Sequence, residues 1–134
     1  MVKSTTVYMG DKHCELEHLP SGAKIETDAP KDNHGKGERF SPTDLVGAAL
    51  ASCVLTTIAI VGERDGLSLL GTKAELEKEM SEKPRRIGAL RLHVTLSAAL
   101  TPNQRRKFEE TAKNCPVHRS LHPDIQIPMT FTYI

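Results

Sequence analysis

The chain has 134 residues, with 18 Lys and Arg against 17 Asp and Glu scattered along it and a net charge of +1. Residues 1–134 suffice for one domain and leave no room for a second core, and the even charge balance marks no phosphate-binding face, which sets nucleic acid aside as a partner. Three cysteines, an odd number, with no apolar signal segment after Met1, predict a cytoplasmic protein whose thiols are reduced and chemically available, not a disulfide framework.

Residues Thr5 to Glu26 alternate weakly around two turn signals, Gly10-Asp11 and Pro20-Ser21-Gly22, predicting short antiparallel strands joined by hairpins. From Thr27 to Arg39 there is hardly an apolar side chain, so a long exposed loop is expected. Ser41-Pro42-Thr43-Asp44 then reads as a helix start, with Ser41 as N-cap, Pro42 at the first helical position and Asp44 at the third. The helix should run to about Asp65 and stop at Gly66. Its apolar core, Leu45 to Val61, falls short of the roughly 20 residues a bilayer requires and carries Ser52, Thr56 and Thr57, so no membrane span is expected. Apolar side chains cover nearly every angle of this helix, and such a helix must be enclosed by protein. A single small sheet cannot do this, so the helix is predicted to be central and packed both on sheet and on a second subunit of a homodimer.

Thr72 to Met80 and Ile87 to Ala98 read as longer strands, with Lys83-Pro84 at the hairpin between them; Leu90, Leu92, Val94 and Leu96 alternate with polar residues, giving one core face. Thr101-Pro102-Asn103-Gln104 is a capping box, and Phe108, Ala112 and Cys115 follow at helical spacing in a helix ending near Asn114. Cys115-Pro116 opens a further short helix through Leu121, and Ile125 to Tyr133 alternate as a last strand. Strands and helices are segregated, which is α+β with mostly antiparallel sheet.

The chemistry lies in the thiols. Cys53 sits mid-helix with Ala49, Leu50, Thr56 and Thr57 one turn away and no cation on its own helix, the local setting of an inert buried thiol. Cys115, before Pro116, faces unpaired helix-terminal N–H groups, with His118 and Arg119 one turn on, and each feature favours thiolate. Cys14, in a short strand near Lys12 and Glu15, has no chemical company. Cys115, His118 and His122 offer metal-type ligands, but no CxxC pair supplies the four a structural zinc needs, so no metal is expected. The absence of a GxSxG elbow and of a phosphate-binding or dinucleotide glycine pattern sets those enzyme classes aside.

The run Phe40-Ser41-Pro42-Thr43-Asp44-Leu45-Val46-Gly47-Ala48-Ala49-Leu50-Ala51-Ser52-Cys53, with Cys115-Pro116-Val117-His118 far downstream, resembles the OsmC/Ohr family of osmotically inducible and organic hydroperoxide resistance proteins. The resemblance implies an intertwined α+β homodimer with mostly antiparallel sheets around the long buried helix. It also implies a peroxidase without cofactor, in which Cys53 attacks a hydroperoxide, Cys115 resolves the sulfenic acid as a disulfide, and a thioredoxin- or lipoyl-type dithiol reopens it. Such a nucleophile calls for a positive partner. The organic hydroperoxide branch carries a Glu after the helix-start proline, paired with an Arg from the N-terminal region; here Thr43 takes that place, Asp44 follows it, and Arg39 is the nearest arginine. This departure resembles a less-characterised branch and keeps open a second class, a non-catalytic stress or small-ligand-binding protein with redox-sensing thiols.

Overall fold

A computed structural model describes residues Met1–Ile134, which divide into two compact units, Met1–Val46 and Gly47–Ile134.

In the first unit β1 (Ser4–Gly10), β2 (His13–His18) and β3 (Lys24–Asp28) form an antiparallel sheet in that order. Asp11 and Lys12 both take positive φ, 53° and 59°, the conformation of a two-residue hairpin that matches strand twist. The expected exposed loop begins later than the composition suggests, because Thr27 and Asp28 belong to β3 and are buried. The register explains why a carboxylate is tolerated there: His13 lies directly opposite Asp28, and Glu26, two residues earlier, shares the same face. His13 Nδ1 is 2.6 Å from Asp28 Oδ1 and Nε2 is 3.1 Å from Glu26 Oε1. Beyond β3 the chain closes a single 3-10 turn over Lys31–Asn33 and returns so that Phe40 O accepts the Asp28 N–H at 3.2 Å. Gly35 is obligatory in this turn, since a Cβ there would lie 1.8 Å from the Ala29 carbonyl oxygen.

Hydrogen bonding to Asp28 raises the His13 pKa above its ordinary 6.5, and His13 in turn lowers Asp28 and Glu26 below 3.8 and 4.5. The imidazolium stabilises fully below pH 6.5 and loses its contribution as pH rises through the raised folded value. The carboxylates stabilise fully above pH 4.5 and lose theirs as pH falls through the lowered folded values. The sheet β1 to β3 is therefore expected to be most stable between pH 4.5 and 6.5. Urea unfolding at several pH values checks this, and His13→Ala should flatten the profile on the alkaline side.

At the boundary between the units, α1 (Pro42–Arg64) starts as the sequence predicts. Ser41 Oγ accepts the Asp44 N–H at 3.0 Å and Asp44 Oδ2 accepts the Ser41 N–H at 2.9 Å, a reciprocal capping box. The helix stops at Gly66 (φ 72°), where Gly66 N–H reaches Glu63 O and Leu67 N–H reaches Gly62 O, a Schellman closure.

The second unit pairs β4 (Lys73–Ser81) antiparallel with β5 (Arg86–Leu96) through a hairpin containing a cis Lys83-Pro84 bond. Thr101 caps α2 (Pro102–Ala112) with its predicted box, and Cys115 caps α3 (Pro116–Ser120). The last strand, β6 (Met129–Tyr133), is shorter than its alternation predicts, although Gln126 already bridges Ala89 ahead of it and Pro128 contributes a carbonyl to Leu92 N–H but has no N–H of its own. It runs parallel to β5, the one parallel pairing in two otherwise antiparallel sheets, because α2 and α3 form the crossover that returns the chain to the same end.

Leu50, Val54 and Ile58 of α1 are fully buried, as are Leu90, Val94 and Leu96 of β5. Gly47 brings the helix down onto this sheet, for a Cβ there would meet Leu76 Cδ2 at 2.8 Å and Leu90 Cδ2 at 3.4 Å. Enclosure on every side, as the composition of α1 predicts, is not achieved within the chain. Its buried residues are Gly47, Leu50, Val54, Ile58 and Gly62, one stripe at helical spacing, while Ala49, Ser52, Thr56 and Ile60 are exposed. Although α1 has the length and hydropathy to cross a bilayer, this stripe makes it the core helix of the second unit.

Candidate active site

Two cysteines far apart in sequence meet in the second unit. Cys53 projects from the third turn of α1 and is half-buried, whereas Cys115 is 0% exposed at the N-cap of α3. Both are free thiols, and each lies close enough to the other to shift its ionisation. Pro116 has no N–H to offer, so the next two amides of α3 are the available donors. His118 N–H donates to Cys115 Sγ at 3.4 Å, and the Val117 N–H favours the ionised form of both sulfurs. Thr57, one turn along α1, places its Oγ1 3.9 Å from Cys53 Sγ while donating to the Cys53 carbonyl at 2.6 Å.

This arrangement sets the two thiols apart. Burial pushes Cys53 up, but the Val117 N–H, the Cys115 thiol and the Thr57 hydroxyl outweigh it and hold the group below its ordinary 9.0. Burial also pushes Cys115 up; the His118 N–H offsets only part of this, and the neighbouring Cys53 adds to the rise. The proton of the pair therefore stays on Cys115 and the negative charge forms on Cys53. Local sequence electrostatics pointed the other way, to Cys115. The difference arises because burial and the second sulfur act against Cys115, while the neutral Val117 amide, supplied across space, acts on Cys53.

The other candidate residues occupy different surroundings. Arg39 Nε donates to Glu26 Oε2 at 3.0 Å, and its Nη1 lies 3.7 Å from Asp28 Oδ2, so its guanidinium ties the returning loop to β3. Together with His13, Lys36 and Glu38, Arg39 and Asp28 line a small open cavity of about 190 Å³ in the first unit. Asp44 holds the start of α1 through its bond to Ser41 N–H. Cys14 is half-buried on β2, opposite Tyr8 and Thr27. The sequence reading missed Thr57 as a partner of Cys53, though its position four residues on was the available signal. It also missed the His13, Glu26 and Asp28 cluster, whose signal was the placement of His13 and Asp28 on either side of a hairpin.

Comparison with known proteins places these features in context. The OsmC-like protein family (OsmC) matches residues 35–130, and no curated protein matches the chain. A crystal structure of a candidate osmotic stress induced and detoxification response protein from Psychrobacter arcticus 273-4 is 42% identical, covers 98% of this chain and 96% of that one, and superposes with a TM-score of 0.94. An organic hydroperoxide resistance protein OsmC from Legionella pneumophila is 18% identical, with 98% and 96% of the two chains covered and a TM-score of 0.79. An OsmC-like protein from Mycoplasma pneumoniae is also 18% identical, with 100% and 97% covered and a TM-score of 0.83.

Proposed function

Since the chain belongs to the OsmC-like protein family, we propose that it is a thiol peroxidase that reduces organic hydroperoxides, with Cys53 as nucleophile and Cys115 as resolving thiol. The observation that carries this reading is that Cys53 of α1 and the fully buried Cys115 at the N-cap of α3 come together as free thiols, in surroundings that lower the pKa of Cys53 and raise that of Cys115. A thiolate is the nucleophile that breaks an O–O bond, and a protonated neighbour is held in reserve for the second step.

The Cys53 sulfur attacks the terminal peroxide oxygen, an S–O bond forms as the O–O bond breaks, and the alkoxide leaves to take a proton and become the alcohol. Cys53 is then a sulfenic acid. Cys115, on losing its proton, attacks that sulfur and expels hydroxide, leaving a disulfide that a dithiol of thioredoxin or lipoyl type reduces. In this reading no cofactor or metal is required, Asp44 acts through the helix start that it caps, and Arg39 acts through the loop that it anchors. Residues 1–134 form one domain of a cytoplasmic homodimer, in which the exposed Ala49, Ser52, Thr56 and Ile60 face of α1 is covered by the second subunit.

The test is consumption of cumene or tert-butyl hydroperoxide by the purified protein with dithiothreitol or dihydrolipoamide as reductant. Turnover well above the reductant alone is expected, with a dimer in sedimentation analysis. Consumption at the reductant's own rate would overturn the peroxidase reading and favour a redox-sensing or ligand-binding protein, the class that Thr43 in place of a glutamate leaves open.

A further inference from the structure

Within its own chain, every group that favours the ionised form of Cys53 is neutral, and one of them comes from its own helix. Thr57 Oγ1 stands 3.9 Å from the sulfur and donates to the Cys53 carbonyl at 2.6 Å. A hydroxyl has one proton and two lone pairs, and its proton rotates freely about the C–O bond. While Cys53 is a thiol, that proton is on the carbonyl and the oxygen is free to accept from S–H. Once the sulfur has lost its proton, the stronger acceptor is the thiolate. The carbonyl is not left bare when the hydroxyl turns away, because it keeps its helical N–H partner; the Thr56 hydroxyl lies 3.2 Å from it but nearer the Ser52 carbonyl, at 3.0 Å.

We propose that Thr57 is a further catalytic residue of this site, a hydroxyl that turns from the Cys53 carbonyl to the Cys53 sulfur as the nucleophile ionises. Only a hydrogen bond is exchanged; the sulfur's proton goes to solvent and no covalent bond of Thr57 changes. The role depends on Cys53 being the nucleophile proposed above, but it is read from ionisation and not from turnover, so the two ideas fail separately. The titratable group facing Cys53 is Cys115 on α3, which remains in place throughout the test.

The experiment follows the pH dependence of iodoacetamide alkylation at Cys53, resolved by peptide mass, in the full-length protein and in Thr57→Val and Thr57→Ser. Valine keeps the β-branched shape and removes the hydroxyl; serine keeps the hydroxyl. Thr57→Val is expected to move the Cys53 inflection upward by about one pH unit, the size of one hydrogen bond to a charged group. Thr57→Ser is expected to hold it within a few tenths of the parent. An unchanged inflection in Thr57→Val, or an equal shift in both variants, overturns the proposal. If valine unfolds α1, as seen by circular dichroism, Thr57→Ala serves in its place and the serine comparison still decides.

Discussion

Replacing Cys53 with serine is expected to reduce hydroperoxide consumption to the rate of the reductant alone, because a serine hydroxyl is not ionised near neutral pH and has no oxidation step open to it. Cys115→Ser should behave differently. The first oxidation survives, since Cys53 keeps its Val117 N–H and Thr57 donors, and serine is a good N-cap that preserves α3. One equivalent of peroxide then gives the sulfenic acid, a second carries Cys53 on to sulfinic acid, and consumption stops. Stopped-flow consumption and intact mass give both results. Dimedone capture of a sulfenic acid at Cys115 in place of Cys53 would reverse the assignment of roles. The pH dependence follows from the directions of shift. The single-turnover rate should rise with a midpoint below pH 9.0 as Cys53 ionises, while Cys115 titrates above that pH.

Phe108→Ala is expected to cost about 3–5 kcal/mol of stability, the range for deleting a fully buried aromatic side chain. Phe108 is 0% exposed and shares that status with Ala112 and Cys115, which follow it on the same side of the chain as α2 gives way to α3. The helix has a second anchorage that the substitution leaves intact: Tyr133 donates to the Glu109 carboxylate, and the Arg105 guanidinium lies 4.3 Å above the Tyr133 ring. The loss is therefore expected to be a core cavity and not a detached helix. Urea unfolding measures the energy.

These outcomes depend on features of differing visibility in the sequence. The caps of α1 and α2 were legible because Ser41, Asp44, Thr101 and Gln104 bond within one turn, where spacing alone settles the geometry. The same holds for the core face of β5, since alternation fixes which side chains share a side. The expected thiol pair and its roles came from the motif, whereas local residues alone pointed to Cys115, because burial of Cys115 is a property of the folded unit that neighbours in sequence do not reveal. The His13 and Asp28 contact escaped for a related reason: strand register decides it, and composition alone assigned Thr27 and Asp28 to an exposed loop. Full enclosure of α1 was an inference from composition, which counts apolar side chains but cannot say which of them the chain itself covers.

The parallel pairing of β5 with β6 governs how the site comes into being. Cys115 belongs to the crossover that this pairing closes, so its position is fixed only when two strands separated by both short helices find their register. Closing such a loop has an entropic cost that hairpins and single helices avoid, and contacts of this kind form slowly. The hairpins and α1 depend on neighbours close in sequence and can fold early. A chain at that stage carries two separate cysteines, one on a helix and one on an undocked segment, with neither sulfur supplied with the amides of α3. The meeting of the two cysteines is therefore a late product of folding, and a partly folded chain lacks it.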